Sequence, residues 1–128
     1  MKTQLNPFRS AGFTLTEIMI VVGIIGLLTS IAVPNFARAR DNSRVNMIYV
    51  NLRAINDAKD RWALENNKAG GTPVPDITIL SNYFRAGMVQ DVVREIYVAN
   101  EVGTPAEAHL PGGASLGTFG AGAVIQSP

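Results

Sequence analysis

"GFTLTEIMIVVGIIGLLTSIAVPNFARAR", residues 12–40, decides the fold. From Phe13 to Val33 the chain is fit for hydrocarbon, and Glu17 is the only ionisable residue among those 21. A helix of that length reaches about 31 Å at ~1.5 Å per residue, close to a bilayer core of ~30 Å. A carboxylate at the centre of a spanning helix costs roughly 2.5–3.5 kcal/mol, so Glu17 calls for a reason. One reason is local. Thr14-Leu15-Thr16-Glu17 fits the capping box S/T-x-x-E, in which the acid satisfies a backbone amide of the first turn. The helix dipole favours an acid there by ~0.3–1 kcal/mol.

The totals place the rest of the chain around this segment. With 128 residues there is room for one domain. The chain is 47% hydrophobic and 16% charged, below the roughly 25% charged of an average soluble domain. The apolar excess is concentrated between Ile18 and Val33, which carries no charge. A net charge of +1 gives no reason to expect nucleic acid as a partner. Without cysteine there are no disulfides or thiolate metal sites. With His109 as the single histidine, a catalytic triad or histidine metal cluster is not expected. Past residue 100 the acids are Glu101 and Glu107, too few for a six-to-eight-oxygen calcium site. No nucleophile and base stand out, so the chain reads as a non-enzyme, and no cofactor is expected.

Met1 to Gly12 is short and polar, with Lys2 and Arg9. A basic start before an apolar run reads first as a secretory signal. An ordinary signal peptidase would cut after Ser30-Ile31-Ala32 and release a soluble binding domain beginning at Val33. Length favours the other version, a retained anchor, because signal cores run about 7–15 residues. The count of basic residues is at odds with the expected orientation. The leader holds two, whereas Arg38, Arg40 and Arg44 flank the other end.

Residues 12–40 resemble the N-terminus of type IV pilins and type II secretion pseudopilins, through Gly12, Phe13, Thr14, Leu15, Glu17 and the later Pro34. The resemblance covers about 30 residues and implies several expectations. A prepilin peptidase would cut between Gly12 and Phe13 and methylate the new amine on Phe13. Glu17 would pair with the amine of a neighbouring subunit during assembly, a role that can coexist with capping. The helix would loosen between Gly26 and Pro34 in the filament. From the residues alone, Pro34 removes one ladder hydrogen bond and clashes with the Ser30 carbonyl, so a bend belongs there. Gly23 and Gly26 are small enough for close helix approach, although glycine is also simply commoner in spanning helices.

Beyond Pro34, Val45, Ile48, Tyr49, Leu52, Ile55 and Trp62 form one stripe of an amphipathic helix. Asn66-Asn67 and Gly70-Gly71 end it. Asp76 is the expected N-cap of a short helix running through Phe84 and closed by Gly87, with Ile77, Leu80 and Phe84 facing inward. Glu95–Ala99 reads as a strand, Glu101–Pro105 as a turn and Ala106–Leu110 as a return strand. The tail "PGGASLGTFGAGAVIQSP", residues 111–128, reads as a flexible loop with a short edge strand at Gly122–Gln126.

The expected fold is α+β: a long N-terminal membrane-anchoring helix as spine, with a small head of a short helix and an antiparallel sheet. The expected parts are a leader (1–12), a transmembrane and assembly helix (13–34) and a periplasmic or extracellular head (35–128). The resemblance implies a filament subunit of a pilus or secretion pseudopilus. It would sit first in the inner membrane with its head in the periplasm. The implied partners are its own copies and related pilin subunits, a prepilin peptidase and methyltransferase, an inner-membrane assembly platform, and lipid.

Overall fold

The computed structural model describes residues 12–85 and 87–127. Apart from Gly12, the expected leader and its basic residues Lys2 and Arg9 therefore lie outside the described residues. The fold is α+β. A long helix α1 (Leu15–Glu65) is followed by a short 3-10 helix (Ile77–Tyr83) and three strands, β1 (Ile96–Val98), β2 (Glu107–His109) and β3 (Val124–Gln126). The chain divides into two compact units, Met1–Phe36 and Ala37–Pro128.

The first unit, as far as it is described, is the start of α1 and buries nothing: every residue from Gly12 to Phe36 is exposed. The helix persists because its N-terminus is capped and its backbone bonds are internal. α1 is long and apolar enough over one window to cross a membrane. Thr29 and Ser30 turn their hydroxyls inward, donating to Ile25 O and Leu27 O at 2.7 Å each. That removes two polar groups from the outer surface of the helix. Pro34 lies inside α1.

In the second unit the amphipathic stripe becomes a core. Ile48, Leu52, Ile55 and Ala58 are buried from the helix, Leu80 from the 3-10 segment, and Ala99, Ala106, Ala108 and Leu110 from the sheet region. Val45, Tyr49 and Trp62 pack around them, half-buried. The stripe has a gap of seven residues between Ile55 and Trp62. Ala58 and Lys59 fill it, both buried.

Local chemistry ends each element. Asn67 closes α1 in the left-handed region, with φ 52°. Lys68 N donates to Ala63 O at 2.8 Å and Asn67 N to Leu64 O at 3.4 Å, the paired bonds of a Schellman ending. Asp76 caps the next segment by accepting from Thr78 N at 2.8 Å. That segment is a tighter 3-10 turn ending at Tyr83, with Phe84 as its C-cap. Of the three residues expected to face inward, Leu80 is fully buried and Ile77 and Phe84 are half-buried.

The strands pair antiparallel in the order β1-β2-β3. Their register puts Tyr97, Ala108 and Ile125 in one row facing the core, and Ile96, His109 and Val124 in a row on the other face. The glycine-rich tail is more than a loop. Leu116 and Ile125 are buried core residues. Leu116 and Phe119 bridge to each other, with Gly117 turning between them at φ 56°.

Candidate functional site: the capped N-terminus of the apolar helix

Glu17 sits in the first turn of α1 and is exposed together with every apolar side chain around it. Its Oε2 accepts from Thr14 N at 2.8 Å and from Thr14 Oγ1 at 2.8 Å. Glu17 N in turn donates to Thr14 Oγ1 at 3.2 Å. This is a closed reciprocal capping box, as the spacing of Thr14 and Glu17 implies. Both contacts to the carboxylate fall on Oε2. Oε1 has no partner among the described residues, so the acid retains an acceptor aimed at nothing in its own helix.

Gly12 and Phe13 precede the helix outside any regular element, and Phe13 is 83% exposed. An added Cβ at Gly12 would meet no atom within 4 Å. Among the described residues nothing crowds that position. The same holds at Gly23 and Gly26, where an added Cβ also meets nothing within 4 Å. Gly26 and Pro34 are both within continuous α1. A loosening between them would belong to the assembled state.

Residues 7–33 match the family model described as the prokaryotic N-terminal methylation motif. The chain carries a prepilin-type N-terminal motif. Gly12, Phe13, Thr14, Leu15 and Glu17 all fall within its bounds. The chain is similar to the type IV major pilin protein PilA of Myxococcus xanthus, 41% identical over 78 residues, which are 56% of this chain and 35% of that protein. It is similar to the type II secretion system core protein G of Aeromonas hydrophila, 35% identical over 60 residues, 47% of this chain and 42% of the relative. The Pseudomonas aeruginosa core protein G is 38% identical over 58 residues, 45% of this chain and 41% of the relative. The chain thus spans about two fifths or less of the length of these curated relatives. No solved structure matches it. A type IV major pilin and type II secretion core proteins are both among its relatives.

The second unit holds two polar sites that the sequence does not announce. Lys59 is buried, and its Nζ donates to Ala99 O at 2.7 Å and also to Thr104 O. The ammonium thereby ties α1 to both ends of the β1–β2 turn. Burial pulls its pKa below the ordinary lysine value, with Asp60 opposing. The signal for it was the seven-residue gap in the stripe, where helical spacing puts position 59 on the buried face.

Glu95 is the second site, also buried. It accepts from Val92 N at 2.9 Å, Val93 N at 2.7 Å and Tyr97 Oη at 2.5 Å. Asn51 Nδ2 donates to Tyr97 Oη at 2.8 Å and to Gln90 O at 2.9 Å, joining α1 to the same loop. Burial pushes the Glu95 carboxyl up, but the Tyr97, Val93 and Val92 donors outweigh it and hold the group below its usual range. Tyr97 is pushed well above the ordinary phenol value by its burial and by the carboxylate it donates to. Both sites act as internal staples.

His109 has Glu107 as a neighbour, with Nε2 3.2 Å from Oε2. Residues two apart in a strand share a face, which brings Glu107 and His109 together on β2. Gln126 Nε2 also donates to Glu107, at 2.8 Å. The cluster lies on the outer sheet face. Among the described residues no group of three or more His, Cys, Asp or Glu is placed to hold a metal ion.

Proposed function

We propose that this chain is a structural subunit of a pilus-like or type II secretion pseudopilus filament, assembled through its N-terminal apolar helix, with no reaction of its own. The observation that carries the reading is the combination at residues 12–36. A prepilin-type motif heads a helix whose apolar side chains are all exposed. Such a surface is unsustainable in water and needs lipid or other copies of the helix around it. In the membrane it is surrounded by lipid, and in a filament by its neighbours.

The steps at the N-terminus follow. A prepilin peptidase cuts between Gly12 and Phe13, and the new amine on Phe13 is methylated. The amine arises one residue before Thr14, whose N–H already donates to Glu17. Pairing within the chain is therefore close at hand, and the capping box occupies Oε2. Oε1 remains to receive the amine of a neighbouring copy, which sets the height at which each incoming subunit stops. Gly26 to Pro34 is the stretch that loosens on assembly, because Pro34 lacks one ladder donor. The subunit begins in the inner membrane as a single span with its head on the periplasmic side. It leaves for the filament through an assembly platform and joins its own copies and related pilin subunits.

The test is mass spectrometry of the protein from its native membrane. The expected N-terminus is methylated Phe13. A start at Val33 would instead support release as a soluble domain by an ordinary signal peptidase after Ala32, and an intact Met1 would exclude processing altogether. Replacing Gly12 with a bulky residue is expected to leave the precursor uncut but still in the membrane.

A further inference from the structure

The charges on the two sides of the apolar run are distributed in a way that orientation does not explain. Glu17 and Arg38 bracket an uncharged stretch, Ile18 to Ala37. Those 20 residues span about 30 Å as helix, the thickness of a bilayer core. Arg38 is therefore the first charge past the hydrocarbon, followed by Arg40. Basic residues are disfavoured on a translocated flank, so their presence there asks for a local partner.

The structure shows which of the arginines are available. Arg38 and Arg40 are exposed, whereas Arg44 is half-buried. Asp41 is shared between Arg40 Nε at 3.6 Å and Arg44 Nη1 at 3.9 Å. Arg38 has no ion pair among the described residues. Arg40 keeps the outer part of its fork, since its one contact to Asp41 is through Nε. One acid against three arginines leaves this band at +2.

We propose that Arg38 and Arg40 bind the phosphates of lipid headgroups on the far side of the membrane and stop the anchor from sliding back through it. The proposal rests on the membrane-anchored reading above. The planar guanidinium fork matches phosphate oxygens in pairs, and the snorkelling reach of arginine covers the few ångströms between Arg38 and Arg40 along the helix. A headgroup layer offers such phosphates at the height where the uncharged stretch ends. A basic residue near an anionic surface is attracted to it by about 1 kcal/mol, roughly a fivefold effect on its association with that surface.

The experiment uses the full chain in vesicles of phosphatidylcholine with a minor fraction of phosphatidylglycerol. Spin-labelled phosphatidylglycerol and spin-labelled phosphatidylcholine are compared for association with the protein. Wild type should prefer the anionic lipid several-fold. R38Q/R40Q should lose most of that preference, and R38K/R40K should keep part of it. The difference between wild type and variant is the readout, because the near side carries cations of its own. Equal preference in wild type and R38Q/R40Q would overturn the proposal. If filament yield fell in that variant with lipid preference unchanged, the arginines would face an acidic neighbouring subunit, which also overturns it. Failure of both proteins to float with the vesicles would overturn the membrane reading itself and this proposal with it.

Discussion

The first 22 residues of α1 and its last 29 are one helix made for two solvents. From Leu15 to Phe36 every side chain is exposed and nearly all are apolar. From Ala37 to Glu65 one face is buried in the core of the head and most of the rest is polar, with Met47, Val50 and Leu64 as exposed apolar exceptions. Helical geometry is the same in both, and only the side chains differ. The first stretch buries none of its side chains among the described residues. The second completes its structure internally, with a core and with polar staples at Lys59 and Glu95. The difference separates assembly from folding: changes in the first stretch should affect partners, and changes in the second should affect stability.

The strongest way to break that separation is to cut the helix between the two. A fragment starting at Asn35 should be soluble and folded, with a single cooperative melt by circular dichroism. Aggregation without a cooperative transition would mean that the head depends on the anchor. Lys59→Met is expected to have the next largest effect on such a fragment. It keeps the bulk of the side chain but leaves the carbonyls of Ala99 and Thr104 without their donor. At about 1–3 kcal/mol for each of the two unsatisfied groups, chemical denaturation should show a loss of roughly 2–6 kcal/mol. Loss under 1 kcal/mol would show that water replaces the ammonium.

Much of this was legible beforehand, and the exceptions have physical causes. The apolar run, its cap and the stripe are period and composition, which a sequence displays directly. The strand positions followed from β-branched and aromatic residues between turns, although each observed strand is shorter, Ile96–Val98 and Glu107–His109. Lys59 was not legible because a lysine on a helix ordinarily reads as surface, and its two acceptors are 40 and 45 residues away. Glu95 was hidden inside its expected strand because the donors that justify its burial come from a loop. The tail read as a loop because its glycines obscure Leu116 and Ile125, whose burial depends on long-range contacts. The closed cap at Thr14 and Glu17 was legible from four residues, because both halves of the interaction are local.

Acid should sharpen the comparison. Glu95 titrates below its usual range in the folded head, so its contribution is present at neutral pH. It should be lost progressively as pH falls from about 4.5, where the unfolded carboxyl is half-protonated, through the lower value of the folded group. Melts of the Asn35 fragment from pH 7 to pH 3 should show this decline, and Glu95→Gln should flatten it. An equally steep decline in the variant would assign the acid sensitivity elsewhere. His109→Gln should matter least. Its partner Glu107 retains the Gln126 contact, and exposed pairs amount to about 0–1 kcal/mol. Its melting curve should nearly overlay the wild type, and a large shift would reveal a role for the outer sheet face.

The central claim is that Glu17 acts between copies of the chain beyond capping its own helix. Glu17→Ala removes the carboxylate along with its cost in lipid, and the lost cap amounts to only about 0.5–2 kcal/mol locally. The deciding measurement compares, at equal expression, membrane-inserted subunit and sheared filament for wild type and Glu17→Ala. Insertion at least equal to wild type with filament absent or strongly reduced is the predicted result. Normal filament yield from the alanine variant would contradict the account and leave Glu17 as a helix cap alone.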